Sequence, residues 1–209
     1  MIPVFQILSH KIGRYRVILG YDIIIFTNRY DPAYHLEAFG QIAKELRGYT
    51  SKCVISFVDI YTKNKKNMKA LNAYFLTEND LVTFGREIAL IAGDHDIQVA
   101  TCTETIDLSP CGIQHNCCID KELIEKIIGC KIRADKDKNQ RKECDCVESI
   151  EVGTYNTYKN GGQYCYANDS PESVSQNGKQ YDAYVPLLCG SVTENDEITE
   201  RKVRSLKEK

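Results

Sequence analysis

Cys144-Asp-Cys146 and the later Cys165 are the residues of this chain whose type and spacing could do chemistry. Three thiolates with one further ligand would hold zinc tetrahedrally. The paired Cys-x2-Cys knuckles of the usual structural zinc site are missing, so thiols kept by ancestry or by packing are the competing reading. Cys102, Cys117 and Cys118 could join the trio through the fold, whereas Cys53, Cys130 and Cys189 read as inert buried thiols. Ten cysteines is a conspicuous number, because a reducing compartment keeps thiols for metals, redox chemistry or packing and seldom for disulfides.

A second set of candidates comes from the elements. Val17 to Phe26 is a nearly continuous apolar, β-branched run, which suits a strand buried on both faces of a parallel sheet. Asp31-Pro32 then caps a helix whose apolar positions are Leu36, Phe39, Ile42, Ala43 and Leu46, with Gly48 ending it. The pattern repeats. Cys53 to Ile60 reads as a strand, Lys63 to Lys69 as a polar loop, and Thr77-Glu-Asn-Asp80 as a capping-box start for Leu81, Phe84, Ile88 and Ile91, closed by Gly93. Ile97 to Cys102 is a third strand, Asp120 to Gly129 a short helix capped at both ends, and Ser149 to Gly153 a weaker fourth strand.

Alternation of strand and helix with short connections argues for an α/β domain with a parallel sheet, expected to span residues 1–190 with a polar tail over 191–209. Sites on such sheets form at the carboxyl ends of the strands. That rule places Asp22, Asp59 and Glu104 near one rim, with Cys102 beside them, as candidates to line a pocket or act as acid and base. The plainer reading is that each carboxylate caps a strand or faces solvent. His10, His35, His95 and His115 are scattered; His35 is expected at the surface, and a dyad of His115 with Cys117 or Cys118 lacks an orienting third group.

Composition excludes several classes. A net charge of -2 and an interrupted basic run from Lys136 to Lys142 do not make a nucleic-acid footprint. The amino terminus has no charged n-region or cleavage site, and no segment approaches the ~20 apolar residues of a membrane span, so a cytoplasmic location is expected. No phosphate loop of the Walker type and no Gly-x-Gly-x-x-Gly follow a strand. Three or four βα units are too few to close a barrel of about eight strands, so the first strand should be an open edge able to pair with a partner.

Several motifs carry a resemblance. Arg14-Tyr-Arg-Val-Ile with Tyr21-Asp22, Ile55-Ser-Phe-Val-Asp-Ile-Tyr61, Thr101-Cys-Thr-Glu104, Cys118-Ile-Asp120, Lys136-Asp-Lys-Asn-Gln-Arg141 and Gly153-Thr-Tyr-Asn-Thr with Gln163-Tyr-Cys-Tyr-Ala-Asn168 stand in the order and spacing of one family. The chain resembles the uncharacterised bacterial domain-of-unknown-function family numbered eighteen forty-eight, up to about Gly190. The resemblance implies part of a TIM-like βα barrel with a loop-rich, cysteine-bearing C-terminal segment. It also implies kinship with radical S-adenosylmethionine enzymes, whose Cys-x3-Cys-x2-Cys box holds a [4Fe-4S] cluster that binds S-adenosylmethionine.

This chain departs from that pattern within the box region 144–168, because the three box positions read Tyr158, Gly162 and Cys165. It also lacks the family's amino-terminal βα elements ahead of Met1. The resemblance therefore implies a degenerate or truncated member with impaired radical chemistry. The alternative is a non-catalytic module that binds metal or a protein partner on a βα scaffold.

Overall fold

Asp31 begins the second helix because its carboxylate accepts the Tyr34 N–H at 2.8 Å, while Pro32, lacking a backbone donor, occupies the first turn. The computed structural model, which describes residues 1–208, starts four of its helices in this way, each from a side chain that caps the first turn. Ten elements follow in order: α1 (Ile2–Ile12), β1 (Leu19–Ile24), α2 (Pro32–Leu46), β2 (Lys52–Phe57), α3 (Lys65–Ala70), α4 (Glu78–Gly93), β3 (Gln98–Thr101), β4 (Gln114–His115), α5 (Lys121–Ile128) and α6 (Pro171–Lys179). Short 3-10 turns cover Arg14–Arg16 and Ser109–Cys111. No helix among the described residues is long and apolar enough to cross a membrane.

The sheet is parallel throughout and its spatial order, β1-β2-β3-β4, is the sequence order. Leu19 pairs with Cys53, Cys53 with Val99, and Thr101 with His115. The fold class is therefore α/β, and β1 stands at one end of the sheet. Both faces of the two central strands are buried: Cys53, Ile55 and Val99 on one, Val54 and Ala100 on the other. Thr77 caps α4 by accepting the Asp80 N–H at 3.2 Å, and Gly129 ends α5 in the left-handed conformation. Phe39, Leu46, Ile55 and Ile88 are fully buried where α2 and α4 meet the sheet. Each such side chain contributes roughly 1.5–3 kcal/mol relative to exposure.

Several local expectations need correction. The polar stretch from Lys63 to Lys69 contains α3, a six-residue helix anchored by the buried Met68. Residues 149–153 form no strand, and the fourth strand is instead the two-residue β4, paired with β3. Helices α1 and α6 escaped the sequence reading: α1 interrupts its apolar stripe with Ser9 and His10, and α6 is mostly polar, starting at the Ser170 cap. His35 is buried, not at the surface. It bridges Tyr21 Oη at 3.0 Å and the Ile25 carbonyl at 3.2 Å.

The chain divides into two compact units. The first takes in Met1–Val58 and Asn72–Ser149, with the chain returning to it at Lys207; the second takes in Asp59–Leu71 and Ile150–Leu206.

Candidate thiol cluster and the degenerate box

The carboxyl rim of the sheet in the first unit is organised by the loop after β3. Cys102 donates its backbone N–H to the Ile55 carbonyl at 3.0 Å, and Thr103, at φ 56°, turns the chain sharply in the left-handed region. Glu104 then swings its Oε1 to within 2.8 Å of the Phe57 N–H, satisfying the last donor of β2. Asp22 is exposed on β1, and its negative charge opposes ionisation of Cys53 and Cys102. Asp59 belongs to the second unit, where its Oδ2 accepts the Tyr61 hydroxyl at 3.2 Å. Of the three carboxylates, then, Asp22 and Glu104 lie in the unit that carries the sheet.

Beside that rim the first unit gathers thiols from three segments. Asn116 continues the β4 pairing by donating its N–H to the Thr101 carbonyl at 2.7 Å, and the turn that follows presents Cys118. Its Sγ lies 3.1 Å from that of Cys102, which also meets the Thr103 hydroxyl at 3.3 Å. Asp120 fixes the far side of this turn, because its carboxylate caps α5 at the Leu123 N–H.

The third segment arrives by backbone pairing. Val147 donates its N–H to the Ile119 carbonyl at 3.1 Å, and Ile119 donates its own to Cys146 Sγ at 3.3 Å. Asp137 N–H to the Cys146 carbonyl, and Lys136 Nζ to the Lys142 carbonyl and Asp145, hold this segment in shape. Cys144 and Cys146 are both buried, and the neighbouring Cys146 thiol adds to the burial that opposes ionisation of Cys144. Asn116, itself buried, has an Oδ1 with no hydrogen-bond partner.

Ionisation follows contact and burial. The contact with Cys118 brings Cys102 down to about 6 despite its partial burial, with the Thr103 hydroxyl adding to the effect. Cys118 moves up for the complementary reason, since the same contact favours its protonated form, and burial adds to this. The two sulfurs share one proton and titrate as a pair. Burial is the main cause that raises Cys144 and Cys117. Among the described residues, no three or more His, Cys, Asp or Glu side chains already stand in a coordinating arrangement. The cluster consists of one thiol pair in contact, Cys102 with Cys118, and the buried Cys144 and Cys146, whose charge bears on it.

Cys165 lies in the second unit, where Tyr158, Gly162 and Cys165 line one cavity of about 730 Å³. The Cys165 N–H closes a turn on the Gly162 carbonyl at 3.0 Å, and the Tyr158 hydroxyl accepts from Asn160 at 3.0 Å. One thiolate at three box positions does not fit a cluster held by three, and neither a phenol nor a glycine replaces the missing thiolates. Gly162 is not required by space: a Cβ there would meet nothing closer than 3.9 Å.

Sequence reasoning put Cys102 at a strand end but could not pair it with Cys118. The legible signal was Asp120, a helix cap two residues beyond Cys118 that fixes where the cysteine turn ends and α5 begins. Of the remaining thiols, Cys117 lies near the cluster, where the charges of Cys146 and Cys144 oppose its ionisation. Cys53 is buried, with burial pushing its thiol up to about 12, and His115 meets Thr101 Oγ1 at 3.3 Å.

No curated protein and no solved structure matches the chain. The model of one family, described as Domain of unknown function (DUF1848), matches residues 1–167, a span covering the sheet, the thiol cluster and the box. This chain belongs to that family.

Proposed function

We propose that this protein is a metal-binding member of its family in which Cys102, Cys118, Cys144 and Cys146 together hold one zinc ion. We further propose that the radical S-adenosylmethionine-like chemistry implied by the family resemblance is lost with Tyr158 and Gly162. The observation that carries the reading is the 3.1 Å contact of Cys102 and Cys118, beside a segment whose Cys146 is tied to Ile119. Four soft ligands suit tetrahedral zinc.

Sulfurs around such an ion, at about 2.3 Å each, stand about 3.8 Å apart. The Cys102 and Cys118 sulfurs would therefore separate by roughly 0.7 Å on binding, a movement within the reach of side-chain rotation. Thiolates are the ligating form, so loading releases protons and tightens as pH rises. The scaffold supports kinship with a βα barrel through its parallel strands laid side by side in chain order. The zinc would act structurally, joining the loop after β3, the turn before α5 and the 144–147 segment.

The test is metal analysis of the anaerobically purified protein beside its Cys118→Ala and Cys165→Ala variants. About one zinc per chain, lost in Cys118→Ala and kept in Cys165→Ala, is the expected result. Loss in Cys165→Ala alone would move the ligand set to Cys144, Cys146 and Cys165, and stoichiometric iron with sulfide would return the cluster. Reductive cleavage of S-adenosylmethionine at the rate of intact radical enzymes would overturn the second half of the proposal.

A further inference from the structure

The cavity of the second unit differs in chemistry from the thiol cluster. Its wall is built by the start of α3, the box loop and α6, and its volume, about 730 Å³, falls in the range of small-molecule sites. Four lysines line it, Lys63, Lys66, Lys159 and Lys179, against the single carboxylate of Asp169. That carboxylate is already matched: Asp169 Oδ1 receives Lys63 Nζ at 2.6 Å and Oδ2 receives Asn156 Nδ2 at 2.8 Å. These contacts also hold Asp169 below the usual carboxylate range. Among the described residues, none of the ion pairs involves Lys66, Lys159 or Lys179.

Three unmatched cations around one concave surface repel each other and raise the local concentration of anions. Lysine is a point-charge donor well suited to phosphate oxygens. One further atom describes the rest of the ligand. Asn168 Oδ1, on the same wall, is buried without a partner, while its Nδ2 donates to the Tyr158 carbonyl at 2.6 Å. An acceptor left in this state calls for a hydroxyl or amine hydrogen from whatever fills the cavity. Free phosphate is too small to fill a space of this size and satisfy both features.

We propose that the second unit binds a hydroxyl-bearing phosphate ester, of the size of a sugar phosphate, with Lys66, Lys159 and Lys179 on the phosphate and Asn168 on a hydroxyl. The site occupies the place where box thiolates would have stood, so the positions that lost metal chemistry line a pocket for an organic anion. The reading is independent of the zinc proposal, whose ligands lie in the first unit.

Ribose 5-phosphate is the probe. Calorimetric titration of the full chain at low salt is expected to give a dissociation constant below about 1 mM, with ribose showing no binding over the same range. Lys159→Gln/Lys179→Gln should weaken the phosphate ester by roughly tenfold or more while circular dichroism stays that of the parent. Asn168→Asp should weaken it too, by placing a negative charge on the wall. If the double variant fails to fold, Lys66→Gln serves in its place. Absence of binding, binding unchanged by the lysine variants, equal binding of ribose, or tighter binding of succinate than of ribose 5-phosphate would each overturn the proposal.

Discussion

Cys102 and Cys118 come from two loops of the first unit and meet Sγ to Sγ at 3.1 Å. Because that contact favours the thiolate, Cys102 ionises at about 6. Its contribution to stability is present above the pKa of a free thiol and fades as pH falls through about 6. In metal-free protein, alkylation of Cys102 by iodoacetamide, followed by peptide mass spectrometry, should rise with a midpoint near 6. Cys118→Ala removes the contact and should move the midpoint toward about 8.5, the free-thiol value. Equal midpoints in the two proteins would show that the pair does not form.

Tyr21 and His35 give a second handle on pH. Burial lowers His35, opposed by its contact with the Ile25 carbonyl and by the charge of Asp31, and the same burial pushes the Tyr21 hydroxyl up to about 12. A histidine lowered in the folded state takes up protons more readily when unfolded, so stability rises with pH and is lost as pH falls below the ordinary value of about 6.5. Urea midpoints at neutral pH and near pH 5 should separate more for the parent than for His35→Gln. Tyr21 should remain unionised at pH 11 by ultraviolet absorbance, and a tyrosinate signal assigned to it there would contradict the buried contact.

Glu104 was a candidate for pocket chemistry, yet its Oε1 serves the Phe57 backbone. Glu104→Ala leaves that N–H at the end of β2 without its charged acceptor and should cost about 1.5–3 kcal/mol in chemical denaturation. Its zinc content should match that of the parent. A variant as stable as the parent would return Glu104 to the list of groups free for catalysis.

The degenerate box can be repaired on paper, since Gly162 has room for a Cβ and Tyr158 is half exposed. Tyr158→Cys/Gly162→Cys places three thiols, with Cys165, at the Cys-x3-Cys-x2-Cys spacing that the resemblance implies. Anaerobic reconstitution of that variant is expected to yield the broad absorbance near 400 nm of an iron-sulfur cluster, with no such band in the parent. Equal spectra would separate the loss of the cluster from these two positions.

The parts of the fold legible in the sequence are those in which one residue imposes one geometry. Asp31-Pro32, Thr77 and Asp120 start their helices where their side chains can accept a backbone N–H, and the three β-branched runs become strands, though the first, expected to be buried on both faces, stands at the sheet's end with Gly20 and Asp22 exposed. The alternating strand and helix pattern gave the α/β class for the same reason. The illegible parts depend on distant partners. β4 is only two residues long and exists because β3 offers an edge; α3 is a helix because Met68 finds a core; His35 is buried because Tyr21 and Ile25 receive both of its nitrogens. The thiol cluster was half legible. Cys144 and Cys146 stand together in sequence, but their neighbours Cys102 and Cys118 are brought in by the crossing of the loops after β3 and β4. The lysine-lined cavity carried no motif, because its cations come from segments nearly a hundred residues apart.

Near its carboxyl end the chain rejoins the first unit, Glu208 donating its N–H to the Lys131 carbonyl at 2.9 Å and Lys207 bridging Ile132. Order of synthesis follows from that stitch. The residues that complete the first unit leave the ribosome after the whole of the second, so Lys131 and Ile132 must wait, without their last backbone partners, while residues 150–206 are made. During translation the segment after α5 thus stays unstitched until residues 150–206 have been made.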